Sequence, residues 1–400
     1  MKTNQKGSII VLLAVCITVI MMSLAMTVDI GWMVLAEGQL QNAADAAALA
    51  GASQLPDEDV LYGTPDQTDD IGDARDSAQA FAAYNKAANV YLQVDRNEDN
   101  YIDGGIVAGY IQNPLNINSS FQTDEIPEYN SIQVTAKLAN DLNGPLALLM
   151  GSFSGMQSVE LQATSTATID DRIAGFEVDV NERLMMLPFT VYADAWDEAV
   201  DGGHHPADCS CPHEPDEDDY SYSEESGVLH QSDGIPEISM YPNNQDVCTL
   251  PWAPGNFGTI DIGPSNNSTS DLIDQIENGI SGADLEAIGG MILTDEDEDG
   301  VYSKWLNGDT GVSAAIKCAF EAIIGQPRIL PLHRNLTGTG DGAMYEIVRF
   351  AGVRVVDVKM TGALDNRCVI VQTCPIVSSN AVFSANGPKS GMIFAVSITR

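Results

Sequence analysis

SIIVLLAVCITVIMMSLAMTV, residues 8–28, runs without a charge into DIGWMVLAEGQLQNAADAAALAGASQL, residues 29–55. As a helix the uncharged run is about 32 Å long, enough to cross a hydrocarbon core of about 30 Å. Lys2 and Lys6 precede it and an acidic chain follows, an asymmetry that predicts a cytoplasmic amino terminus and an exported bulk. The run is longer than an ordinary signal-peptide core, with no cleavage site directly behind it, which predicts a retained anchor. No proline interrupts Asp29–Ser53. The helix is therefore expected to leave the bilayer as one rod, about 70 Å long from residue 8 to 54.

Gln41 to Ala52 is almost entirely small residues. Small side chains let helix backbones approach closely, so Ala43, Ala44, Ala47 and Ala48, with Asp29 and Asp45 beside them, are candidate contacts to similar helices of partner proteins. Alanine is also simply the strongest helix former. Both readings stand at this level.

Lys6-Gly7-Ser8, the apolar span, Asp29-Ile30-Gly31 and the run Leu40 to Ala52 together resemble the amino terminus of TadE/TadG-like proteins of the Flp (tight adherence) pilus-assembly system. Phe257 to Gly263, Asn266 to Thr269 and Ile324 to Ile329 are similar to segments of longer members of that family. The resemblance implies a pilin-like plan, with other Tad/Flp assembly proteins or pilins as partners. The chain departs from the pilin-precursor pattern. Gly7 matches the glycine at which precursors are cut, but the fifth residue after it is Leu12 where a glutamate belongs. Cleavage at Gly7-Ser8 is therefore not expected.

Composition narrows the remainder. Four hundred residues suggest two or three domains at about 150 residues each. Lys plus Arg number 18 against 57 Asp plus Glu, a net charge of −39. That charge excludes binding to a phosphate backbone and argues against lying on anionic lipid. A hydrophobic content of 44% is ample for a packed exterior, so the charge reads as solvated surface. Cys16 lies in the span; Cys209, Cys211, Cys248, Cys318, Cys368 and Cys374 lie on the side where disulfides persist. Six cysteines allow fifteen pairings.

The expected class is α+β: a transmembrane helix continuing into a pilin-like helix and antiparallel sheet, then a second α+β domain. The expected domains are 1–54 (anchor and extension), 55–175 (pilin-like) and 176–400, with an acidic insertion at 201–233. Asp73–Val94 reads as a helix, and Gly105–Gln112, Ser131–Leu138 and Val159–Ile169 as strands, with Ile132, Val134 and Ala136 on one face. Pro145–Met150 fits a short helix. Residues 187–191 read as a strand. Further on, Ser270–Asn278 reads as a helix capped by Ser268, Thr269 or Ser270, and Thr310–Gly325 as another stopped by Gly325. Tyr345–Met360, Arg367–Thr373 and Met392–Ile398 read as strands.

Four groups of residues invite chemistry. Asp95, Asn97, Asp99 and Asp103 place hard oxygens as an EF-hand does, but Ile106 stands where the bidentate Glu belongs. Asp295, Asp297 and Asp299 open a similar loop, with Leu306 at that place. Calcium at either loop competes with a plain acidic turn. His204, His205, Cys209, Cys211 and His213 suit zinc by chemistry, though Cys-x-Cys lacks the usual spacing and exported thiols tend to oxidise. Ser265 to Thr269 could hold an anion at a helix start, but reads as turn and cap. Arg328, His333 and Arg334 could form a small basic site, against pairing with nearby acids. No catalytic set emerges from these. The expectation is a non-enzymatic anchored component that requires no cofactor, calcium being the one candidate. A calcium-dependent surface adhesin and an anchored zinc hydrolase using residues 204–213 are the alternatives.

Overall fold

The computed structural model describes residues 8–56, 67–116, 118–124, 128–200, 218–223, 225–235, 237–240, 257–264, 268–297, 300–309, 314–338, 340–360 and 368–399. They form a long apolar amino-terminal helix followed by a strand-rich α+β region. The chain divides into two units. Unit 1 holds residues 1–55, 67–169 and 397–400, and unit 2 holds 56–66 and 170–396. The helical extension 29–54 thus belongs to the same unit as the pilin-like segment. The division near 175 falls instead at 169/170, and the last four residues return to unit 1.

In unit 1, α1 spans Ser8–Ala52 without a break. From Ile10 to Met26 its large apolar side chains are at least half exposed. Beyond Asp29 one face becomes buried through Ala36, Leu40, Ala43, Ala44, Ala47, Ala48 and Ala52. That face meets α2, Thr68–Tyr84, whose own buried positions include Ala74, Ala78 and Ala82. It also meets the strand Ser131–Leu138. Alanine against alanine lets the two helices come close. At Gly51 a Cβ would stand 3.0 Å from the Ala74 carbonyl oxygen and 3.1 Å from Ile132 Cγ2, so even a methyl group is tight there.

The sheet of unit 1 is antiparallel. Ser131–Leu138 pairs with Ile106–Ile111 on one side and with Leu161–Asp170 on the other, in continuous register from Ser131–Thr168 to Leu138–Leu161. Its alternating burial places Ile132, Val134, Ala136 and Leu138 under α1, as the two-residue period predicts. Near the carboxy terminus Thr399 reaches this sheet, donating its N–H to the Thr166 carbonyl at 2.8 Å.

Two expectations in unit 1 are corrected. The helix expected over Asp73–Val94 ends at Tyr84, because Asn85 turns extended and Ala88 and Asn89 take positive φ to close a small hairpin of Lys86–Ala87 with Val90–Tyr91. The helix expected over Pro145–Met150 is a strand, Leu146–Ala147, paired with Ser158–Val159 across a turn containing the short α3, Gly151–Ser154.

Unit 2 is built on the long strand Ala343–Lys359. Pro327–Thr337 pairs along one edge of it. The other edge takes Tyr302–Asp309 at its start and Cys368–Thr373 at its end. Phe189–Tyr192 runs parallel to Pro327–Thr337 and antiparallel to Phe257–Ile260, which pairs in turn with Tyr302–Asp309. The pairing of Lys304–Gly308 with Ala343–Ile347 therefore closes a ring of five strands, removing edges that would otherwise invite association. Two apolar cores result, one around Phe350, Tyr345 and Phe176 and one around Phe320, Trp196 and Leu330. The helix Thr269–Asn278 starts at Ser268 with a capping box to Asp271. The helix expected over Thr310–Gly325 is shorter, a 3-10 turn at Ala314–Ile316 followed by Lys317–Ala322.

Candidate functional site

The features that bear on function lie along α1. Asp29 ends the uncharged run, yet it is buried, and its Oδ1 accepts the Met150 N–H at 2.8 Å. One turn on, the Trp32 indole N–H donates to the Ala147 carbonyl at 3.2 Å. The hairpin 146–159 is thus fastened to α1 at the place where the helix leaves the span. Deeper in the unit, Gln39 Oε1 accepts the Ala88 N–H, and Gln41 bridges the Asp45 carboxylate at 2.8 Å and the Thr164 carbonyl. Unit 1 itself thus supplies partners to Asp29 Oδ1, Trp32, Gln39 and Gln41, while Asp29 Oδ2 is buried without a hydrogen-bond partner among the described residues.

That arrangement bears on the candidate contact residues of α1. Ala43, Ala44, Ala47 and Ala48 are fully buried within unit 1, on a helix that packs against α2, the strand Ser131–Leu138 and the Lys86–Tyr91 hairpin, with Ala43 and Ala44 in one cluster with Ala87, Leu92, Ala136 and Leu138. Asp29 and Asp45 also have their partners within unit 1. The small-residue pattern reports close packing correctly. It carries no signal for whether the neighbouring helix belongs to the same chain.

Among the described residues, neither acidic loop gathers its carboxylates into a cage. Asn97 turns inward: its Nδ2 donates to the Tyr101 and Ile106 carbonyls, and its Oδ1 accepts the Tyr101 N–H. Asn100 does the same with Ala108. The loop centre is filled by asparagine amides, while Asp95, Asp99 and Asp103 point to solvent. In the second loop, Asp295–Glu296 pairs with Tyr302–Ser303 as a hairpin. Asp297 accepts the Val301 N–H and pairs with Arg334 at 2.8 Å. Asp299 lies outside the described residues, as do His204, His205, Cys209, Cys211, His213, Cys248 and Ser265. Of the remaining cysteines with a described environment, Cys318 is exposed and Cys374 buried.

The basic trio does not converge. Arg328 donates to carbonyls at the end of the helix Thr269–Asn278, and Arg334 pairs with Glu346 and Asp297. His333 is buried with Nδ1 3.0 Å from Thr190 Oγ1, and burial lowers its pKa to about 4, so it stays neutral near pH 7.

Sequence reasoning missed a carboxylate cluster in unit 2. Asp218, Asp233 and Glu237 bring ligand oxygens within 4.8 Å of one another, the one such group among the described residues. Burial pushes the Asp218 carboxyl up, but hydrogen bonds from Ser232 and from the Asp233 and Gly234 amides outweigh it and leave the pKa low. Burial raises Asp233, and it raises Glu237 to about 7. The buried Gln372 amide donates to both. Three hard oxygens suit a cation such as calcium. No local pattern announces the cluster, because Gln372 is placed by the pairing of Glu237–Ser239 with Cys368–Thr373.

A raised acid pKa means the folded state holds more protons than the unfolded state between about pH 4.5 and 7, so Glu237 costs stability as the pH rises through that window. Glu237→Gln should therefore stabilise unit 2 by about 1–2 kcal/mol at pH 8, after allowing for solvent screening, and do little at pH 4. Thermal melts at both values check this.

Residues 7–54 match the family model described as putative Flp pilus-assembly TadE/G-like. This segment is similar to the TadE/G-like family. The match coincides with α1 and includes none of the strand-rich remainder. The chain has no match among curated proteins or solved structures. The TadE/G-like helix is long and apolar enough to cross a membrane and fits a single-pass anchor.

Proposed function

We propose that the protein is a non-enzymatic, membrane-anchored component of a Flp/Tad-type pilus-assembly system. The observation that carries this reading is the coincidence of the TadE/G-like match with one unbroken helix whose first half is lipid-compatible and whose second half is built into a folded unit. The helix crosses the inner membrane once, Lys2 and Lys6 stay in the cytoplasm, and the acidic units lie in the periplasm or at the cell surface. Its partners are other Tad/Flp assembly proteins or pilins. Because the alanine face is covered by unit 1, those partners meet either the exposed side of α1 or the acidic exterior.

Affinity purification of the full chain in mild detergent tests this. Recovery of Flp-system proteins is expected, together with loss of pili in a deletion strain. A deletion strain with normal pili and a purification free of such proteins would overturn it.

A calcium-dependent adhesin is a second reading, favoured by the Asp218, Asp233 and Glu237 cluster more than by either predicted loop. A calcium-induced rise in Tm that Asp218→Asn abolishes would support it. An unchanged Tm would count against it.

A further inference from the structure

We propose that the turn joining Leu146–Ala147 to Ser158–Val159 sits in the phospholipid leaflet from which α1 emerges, giving the exported part a second membrane contact. This rests on the reading of α1 as the anchor.

The argument begins with depth along the helix. After Lys6 the first exposed charge on α1 is Glu37, since Asp29 is buried. Val34 and Leu35, past the end of the uncharged run, are still 63% and 52% exposed. The apolar exterior of α1 therefore runs from residue 10 to 36, about 40 Å at helical rise, matching a bilayer with its interfacial zones at about 40–45 Å. Trp32 lies near the outer end of that belt, where interfacial indoles collect.

The hairpin is pinned within the belt and not above it. Met150 donates to Asp29, and α3 lies against α1. Ala25 is 8% exposed, although the residues beside it in α1, Leu24 and Met26, are exposed. Cover thus begins four residues, about 6 Å, deeper than Asp29, inside the uncharged run. The turn has the chemistry for this position. Residues 142–159 contain no charged side chain in a chain of net charge −39. Leu149 is 62% exposed and Met156 55%, with Met150 also at the surface. Large apolar groups held beside a membrane span gain free energy by entering lipid. The contact is apolar and needs no basic residues, and the turn itself carries no charge for anionic lipid to repel. It also accounts for Asp29, because closure of the hairpin over it keeps a carboxylate out of lipid, where a charge is costly.

The test places the photoreactive residue benzoylphenylalanine at Leu149, Met156, Val28 or Leu115 in the full-length protein, reconstituted in bilayers of labelled phosphatidylethanolamine and phosphatidylglycerol. Each of these side chains is exposed, so the fold should tolerate the change, and melting curves matching the parent verify it. Leu149 and Met156 variants should take up lipid label on illumination to nearly the level of Val28, with Leu115 at background. Label at Val28 but background at Leu149 and Met156, or crosslinks there to protein instead of lipid, would overturn the proposal and leave the anchor intact. Background at Val28 as well would overturn both.

Discussion

Phe350→Ala should destabilise unit 2 by about 3–5 kcal/mol, the usual range for deleting a fully buried phenyl ring. Phe350 is 0% exposed and packs edge-on against Phe176 with ring centroids 5.0 Å apart. It sits mid-way along Ala343–Lys359, the strand that three others share, so its cavity opens where the sheet has least freedom to collapse. The Tm of the unit should fall by roughly 10 °C, given about 2–4 °C per kcal/mol for a unit of this size. Phe350→Leu, which keeps more of the volume, should cost clearly less. Calorimetry on the three proteins measures this; a loss below about 1 kcal/mol for alanine would mean that the ring is not in the core.

Ala47→Leu should destabilise unit 1 by about 1–3 kcal/mol through overpacking. Ala47 is fully buried on the face of α1 that meets α2, one turn from Gly51, where a single methyl would already crowd the Ala74 backbone. Leucine adds three carbons to that seam. Asn42→Leu, on the exposed side of the same helix, should change stability by no more than about 0.5 kcal/mol. Circular dichroism melts in detergent distinguish the two. Equal stability would mean that the alanine-rich run is only a good helix former and that α2 does not depend on it.

Local patterns made some elements legible and left others hidden. Ser131–Leu138 was readable because strict alternation, with one face under a helix, leaves a single consistent register. The cap at Ser268 was readable because its hydrogen bonds span three residues. The hairpin at 86–91 was not, since Ala88 and Asn89 take left-handed conformations that alanine rarely adopts and that no turn signature announced. Pro145 resembled a helix start, but the pairing of Leu146–Ala147 with Ser158–Val159 prevailed. The five-strand closure in unit 2 depends on contacts between Phe189–Tyr192 and strands far along the chain, which no window of sequence contains. For the site, the anchor and its small-residue face were legible, because membrane length and close packing are written in composition. The partner of that face was not, because an α2 within the chain and a helix of another protein ask for the same alanines.

Protease added to spheroplasts tests the central claim, a single-pass anchor with an exported bulk. The account predicts degradation of nearly the whole chain, leaving a short membrane-protected fragment that contains the TadE/G-like span. A chain that stays full length until the membrane is permeabilised would contradict it.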